Sequence, residues 1–181
     1  MKLEKLLSEQ SSTILKRWLQ LILETYPSDT QRFLKKQKDQ FANPVRDTIS
    51  KETKNIYREL LQGIDREKVS PSLDRIIRIR AVQDFSPSQA IFFIFLLKKV
   101  VREVLEKEIR ENRLADELLI FESKIDDLAF IAFDIYMKCR EKMYELRAKE
   151  ARNQVSKLLQ RAGLMAEIPE WEPSLKEGND L

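Results

Sequence analysis

The sequence predicts an all-α protein: a bundle of about five to six helices with a long C-terminal helix. Three observations predict it. Apolar residues recur at three- and four-residue spacing along most of the chain. Three steps, Asn43-Pro44, Ser70-Pro71 and Ser86-Pro87, place an N-cap residue before a proline suited to the first helical position. Only 3 glycines occur in 181 residues, too few for the tight turns of a sheet.

The elements follow in order. Leu3, Leu6, Leu7, Ile14, Leu15, Trp18, Leu19 and Ile22 lie at helical spacing, which predicts one helix from Leu3 to Thr25. Tyr26-Pro27 ends it, because a residue before proline avoids the α region. A short charged helix is expected over Asp29 to Gln40. Asn43-Pro44 opens the next, carrying Val45, Ile49, Ile56, Leu60 and Leu61 and stopping near Gly63. Ser70-Pro71 opens a helix through Gln83, with Leu73, Ile76, Ile77 and Val82 inward. Ser86-Pro87 opens another over 87–112, where Gln89 completes a capping box with Ser86. That helix is apolar on all sides from Ala90 to Leu97, so it belongs in the middle of the bundle, with Phe92, Phe93, Ile94 and Leu97 buried. From Leu114 to Cys139, eight positions (Leu114, Leu118, Phe121, Ile125, Leu128, Ala132, Ile135, Cys139) alternate steps of four and three. Met143 and Leu146 follow after a stutter, and Gly163 suits a C-cap. The domain organisation expected is a single helical domain over 1–163 and an irregular acidic tail over 164–181.

Composition narrows the function. Lys and Arg together number 33 against 30 Asp and Glu, a balance that favours solubility over nucleic-acid binding. There is no histidine, which removes histidine general bases, histidine-ligated zinc or haem, and phospho-histidine relay. The single Cys139 builds neither a disulfide nor a cysteine metal cluster, and its place on an apolar stripe reads as an inert thiol. No glycine-rich phosphate loop occurs. The longest apolar run, Ala90 to Leu97, is far short of the roughly 20 residues of a membrane span. These features predict a cytoplasmic protein that is not an enzyme, with no cofactor, no metal and no membrane insertion.

Several side chains remain candidates for chemistry. Asp126, Asp127 and Asp134 share a helix and form either a cation site or solvated acids. Arg75 and Arg78 are three apart and share a helix face; with Lys98 and Lys99 they would make an anion site. The competing reading pairs Arg78 or Arg80 with Asp74 or Asp84 as a structural tie. Arg78, Arg80, Gln83, Asp84, Ser86 and Gln89 are expected to form one polar cluster where two helices join, the glutamines bonding backbone or each other. Phe92, Phe93 and Phe95 either line a ligand cavity or fill the core. Trp171, in Glu170-Trp171-Glu172-Pro173, is either a partner anchor or folded back on the bundle.

The stretch Ile76 to Lys98, IIRIRAVQDFSPSQAIFFIFLLK, resembles the hallmark of the RsbRD N-terminal domain family. Trp18 with Thr25-Tyr26-Pro27 resembles that family's opening helix, and Phe41-Ala42-Asn43-Pro44-Val45 resembles its FANPV element; together they cover about 10–110. The family is the sensor end of bacterial stressosome-type co-antagonists and of some sensor kinases. The resemblance implies a helical sensory domain acting through protein partners, similar in role to non-haem globin-like sensors. A STAS or kinase output domain usually follows; nothing here corresponds to the phosphorylatable STAS threonines, so a free-standing sensor or adaptor is expected.

The function expected is therefore a non-enzymatic signalling domain acting through an unknown protein partner, with or without a small ligand. A homodimer is expected through the long helix or the first helix. The alternative is a ligand- or DNA-binding transcriptional regulator using Arg75, Arg78 and Arg80. Nucleic acid is the weaker partner, because charge is mixed and no helix-turn-helix glycine turn is present.

Overall fold

The computed structural model describes residues 3–36 and 43–163, without the side chains of 33–36. Trp171, the 164–181 tail and Phe41-Ala42 lie outside the described residues. The described chain is all-helical, with eight helices and no strand: α1 (Leu3–Glu9), α2 (Ser11–Glu24), α3 (Ser28–Lys36), α4 (Pro44–Gln62), α5 (Arg66–Val82), α6 (Pro87–Val104), α7 (Glu106–Glu111) and α8 (Ala115–Arg161). The number exceeds the five or six expected because two apolar patterns are interrupted. The first breaks at Gln10 (φ −94°, ψ 10°) and the 87–112 pattern at Leu105 (φ −110°, ψ 17°).

The caps explain most boundaries. Asn43 accepts a hydrogen bond from the Arg46 N–H at 3.1 Å, with Pro44 opening α4. Gly63 ends α4 at φ 101°, a conformation L side chains resist. The α5 start corrects the sequence reading. Asp65, not Ser70, is the N-cap, accepting from the Glu67 and Lys68 N–H groups at 3.0 and 3.4 Å. Pro71 therefore lies inside α5, in its second turn. For α6 the Ser86–Gln89 capping box is present in both directions.

Chain contacts divide the molecule into residues 1–141 and 142–181. The first unit is the bundle. Within it α4 packs on α5, and α2 packs on both α6 and α4. Ile49, Ile56 and Leu60 of α4, Leu73, Ile76 and Ile77 of α5, and Phe93, Ile94, Leu97 and Val100 of α6 are fully buried. The first part of α8 is held on this core by side-chain ties. Glu117 accepts the Leu3 N–H at 2.6 Å, Glu122 takes a two-pronged bond from Arg102 at 2.6 and 2.8 Å, and Asp126 and Asp134 meet Lys98 and Arg66 at 2.6 and 2.7 Å. In the second unit the described residues of α8 are exposed, apart from half-buried Met143 and Leu159.

Two expectations about inward faces change. Phe93, Ile94 and Leu97 are buried, but Phe92 is 49 % exposed and Phe95 also reaches solvent, so α6 keeps one open face. Val82 is 70 % exposed. At 100° per residue it falls about 180° from Leu73 around α5, whereas Arg80 falls within about 20°. The buried stripe of α5 is Leu73, Ile76, Ile77, Arg80 and Ala81.

One ion pair between a buried carboxylate and an exposed arginine joins α4 to α5. The Glu52 side chain, 2 % exposed, receives Arg75 at 2.8 Å and the Asn55 amide at 3.0 Å. Burial pushes its carboxyl up, but hydrogen bonds from Ser72, Asn55 and Arg75 outweigh this and hold it below the ordinary carboxylate value. A carboxyl depressed in the folded state stabilises the fold above its ordinary pKa and loses that contribution as pH falls through it. Urea midpoints of the intact protein are thus expected to drop on acidification through and below the ordinary carboxylate range, with a shallower drop in Glu52→Gln. A second expected outcome separates the α6 faces: Phe93→Ala lowers stability by about 3–5 kcal/mol, whereas Phe92→Ala costs less than about 1 kcal/mol.

Candidate functional site

The end of α5 is built as a Schellman turn. The Asp84 N–H bonds the Ala81 carbonyl at 3.3 Å, and the Phe85 N–H bonds the Arg80 carbonyl at 3.2 Å. Asp84 occupies the left-handed position at φ 57°, where a short polar side chain is tolerated better than most. In such turns the residue after the left-handed one packs back on the last helical turn. Here that residue is Phe85, and its ring centroid lies 4.3 Å from the Arg80 guanidinium carbon. The next residue, Ser86, starts α6. The residues from Arg80 to Ser86 thus stop one helix, cover an arginine and start the next.

Arg80 is the centre of the site. It is 0 % exposed. Its Nη2 donates to the Thr25 hydroxyl at 3.0 Å and to the Gln89 carbonyl at 3.1 Å, linking the ends of α2, α5 and α6. Besides Phe85, the Tyr26 and Phe93 rings lie 5.4 and 5.6 Å from the guanidinium carbon. Tyr26 meets Phe85 edge-on at 5.2 Å. No carboxylate faces this cation among the described ion pairs. Its Nε and Nη1 have no hydrogen-bond partner among the described residues, and neither does the buried Tyr26 hydroxyl. Desolvation pulls the Arg80 pKa below the usual arginine value, and burial raises that of Tyr26 against the pull of the Arg80 charge.

The aromatic frame around Arg80 is pinned. The Trp18 indole N–H donates to the Phe93 carbonyl at 2.7 Å, and the two rings stack with centroids 6.4 Å apart. From α8 the Tyr136 hydroxyl donates to the Phe85 carbonyl at 2.6 Å. Outside the frame lies a cleft of about 420 Å³, lined by Glu24, Thr25, Arg80, Phe85, Ser88, Gln89 and Phe92.

The predicted cluster residues take different places. Arg80, Ser86 and Gln89 come together at the α5–α6 junction, the Gln89 carbonyl bonding Arg80 and its side chain bonding the Ser86 N–H at 3.0 Å. Gln83 is exposed at the end of α5, and Asp84 is exposed with Arg140 at 3.9 Å. Arg78 points outward to Asp74 at 2.7 Å. The anion site imagined from Arg75, Arg78, Lys98 and Lys99 is divided among carboxylates: Glu52, Asp74, Asp126 and Glu103 respectively. Asp126 and Asp134 serve separate cations on different helices. Cys139 is half-buried, its thiol raised by burial and by Asp74 against the pull of Arg78. Thr25 and Tyr26 were legible only as a helix stop, yet they complete the arginine's surroundings. The signal for burial of Arg80 was its place on the α5 stripe.

Removing Arg80 strands neither hydrogen-bond partner. The Thr25 hydroxyl also donates to the Ile22 carbonyl at 2.7 Å, and the Gln89 carbonyl lies in the first turn of a helix. A buried charge lacking a counter-charge is often replaced by an apolar side chain of similar volume at no loss of stability. Arg80→Met is accordingly expected to unfold in urea within about 1 kcal/mol of the unmodified protein. Arg80→Ala, which leaves a void, is expected to lose about 2–4 kcal/mol.

Comparison with known proteins gives three findings. Residues 12–151 match the family described as the RsbT co-antagonist protein rsbRD N-terminal domain, a longer span than the motifs alone cover. An uncharacterized protein from Archaeoglobus fulgidus (strain ATCC 49558 / DSM 4304 / JCM 9628 / NBRC 100126 / VC-16) is 36 % identical over 83 residues, 45 % of this chain and 51 % of that protein, so the match spans about half of each. No solved structure matches. Two of the three motifs that carried the resemblance bear on the site, Trp18 and Thr25-Tyr26 from one end and Arg80 to Phe93 from the other, whereas the described part of the third, Asn43-Pro44-Val45, caps α4. The chain belongs to the RsbT co-antagonist protein rsbRD N-terminal domain family, a family of signalling domains.

Proposed function

We propose that this chain is a cytoplasmic, non-enzymatic sensor or adaptor domain that works through protein contacts, first of all with a second copy of itself. Family membership supports the signalling role. No helix of the described residues is long and apolar enough to cross a membrane. The lack of histidine and the single cysteine speak against catalysis and against an oxidising compartment.

The observation that carries the reading is the surface of α8. Its heptad stripe is not a free seam: Leu114, Leu118, Phe121, Ile125, Leu128 and Ala132 are all buried in the chain's own bundle. Leu119, Phe130, Phe133 and Met137 instead lie exposed, within about 60° of one another around the helix. Large apolar side chains grouped on one helix face mark protein contacts more often than chance exposure does. A nucleic-acid reading finds less support, since Arg75, Arg78, Lys98 and Lys99 each face a carboxylate and Arg80 is buried.

Sedimentation of the intact protein at high micromolar concentration is expected to give twice the chain mass, and Phe130→Glu combined with Phe133→Glu to give the monomer with unchanged helical content. A strict monomer before substitution, or a dimer indifferent to both charges, would overturn the reading.

A further inference from the structure

We propose that the cleft beside Arg80 binds a small organic monocarboxylate with an apolar or aromatic body. The proposal rests on the sensor reading above and names what the sensor would take. The cleft of about 420 Å³ falls within the usual size of small-molecule sites. Its lining residues include the wholly buried Arg80, whose guanidinium Nε and Nη1 have no hydrogen-bond partner among the described residues. Buried donors in folded proteins are nearly always matched, so unspent capacity on a cation calls for an acceptor, water or ligand. Water satisfies the hydrogen bonds but leaves the charge uncompensated; a carboxylate does both, and the arginine fork fits its geometry.

The rest of the lining sets the class. Ser88 and Gln89 belong to the first turn of α6, an 18-residue helix whose N-terminal end carries partial positive charge. Phe85 and Phe92 give an apolar wall, and half-exposed Phe92 stands where a ligand body would lie. One cation balances one negative charge. Glu24, also among the lining residues, opposes the second charge of a dianion such as phosphate more than the single charge of a monoanion. Entry of a carboxylate would compete with Thr25 and Gln89 for the guanidinium, so occupancy would be felt at the ends of α2 and α6 together.

The probes are sodium benzoate and sodium hexanoate, with benzamide as uncharged control and inorganic phosphate as dianion control, at constant ionic strength. Isothermal titration of the intact protein is expected to show saturable 1:1 binding of at least one carboxylate with Kd of about 1 mM or tighter. Benzamide and phosphate should bind at least about tenfold more weakly. Arg80→Met should weaken carboxylate binding at least about tenfold, whereas Arg78→Met, outward and already paired with Asp74, should not change it. Phe92→Glu, at an exposed position with no demand on the core, should abolish it even if the Arg80 variant folds poorly. Absence of saturable carboxylate binding, equal binding of benzamide, or unchanged affinity in both the Arg80 and Phe92 variants would overturn the proposal. Sedimentation of the same samples reads the α8 contact separately, so failure of the ligand claim and failure of the assembly claim are told apart.

Discussion

The organisation of this domain depends on how one buried cation is accommodated. The Arg80 guanidinium is removed from water and faces no carboxylate among the described ion pairs, an arrangement that costs free energy. Two hydrogen bonds from Nη2 and three nearby aromatic rings offset part of that cost. The offsetting groups come from three parts of the chain: the C-terminal end of α2, the turn after α5, and the first two turns of α6. The turn geometry is what makes the packing local. A left-handed Asp84 reverses the chain so that Phe85 lies on the arginine one turn back, and the Ser86 cap then launches α6 with its Gln89 carbonyl in reach. The two helices are joined through the site as much as through their own apolar faces.

Much of this architecture was legible in the sequence. Caps at Asn43 and Ser86, the helix stop at Tyr26-Pro27 and the apolar periods gave the helices and their order. Pro71 misled because proline favours the first helical position yet here lies inside α5, where it lacks the N–H of a helix bond, and Asp65, whose side chain does the capping, stands beside no proline. The α8 heptad read as an intermolecular seam because periodicity reports that a face is buried but not by what; here the same chain buries it. The site was half legible. The segment Ile76 to Lys98 was marked by its resemblance to the family hallmark, and helical phase separates Arg80 from Arg78. What sequence spacing does not carry is the meeting of Thr25 and Tyr26 with Arg80 across 55 residues, which the packing of α2 on α6 brings about.

The same geometry offers a route from the site to the surface. Tyr136 of α8 donates to the Phe85 carbonyl, so the α8 backbone is tied to the residue that covers the arginine. Phe133 and Met137 flank Tyr136 in sequence and belong to the exposed stripe assigned above to self-association. A shift of Phe85 on ligand entry would thus be transmitted through one hydrogen bond and the packing around it to the interface helix. Such coupling needs the contact to have two arrangements of similar free energy.

The central claim, that Arg80 is a sequestered cation with donor capacity held for an anion, is tested most directly by the side-chain Nε–H resonance of Arg80 in a nitrogen-15 spectrum, identified by its loss in Arg80→Met. The account predicts a signal protected from exchange with water in the isolated protein that moves downfield on saturation with benzoate, while resonances of the paired Arg78 stay in place. An Arg80 Nε–H that exchanges as fast as that of a solvent-exposed arginine and ignores benzoate would contradict it.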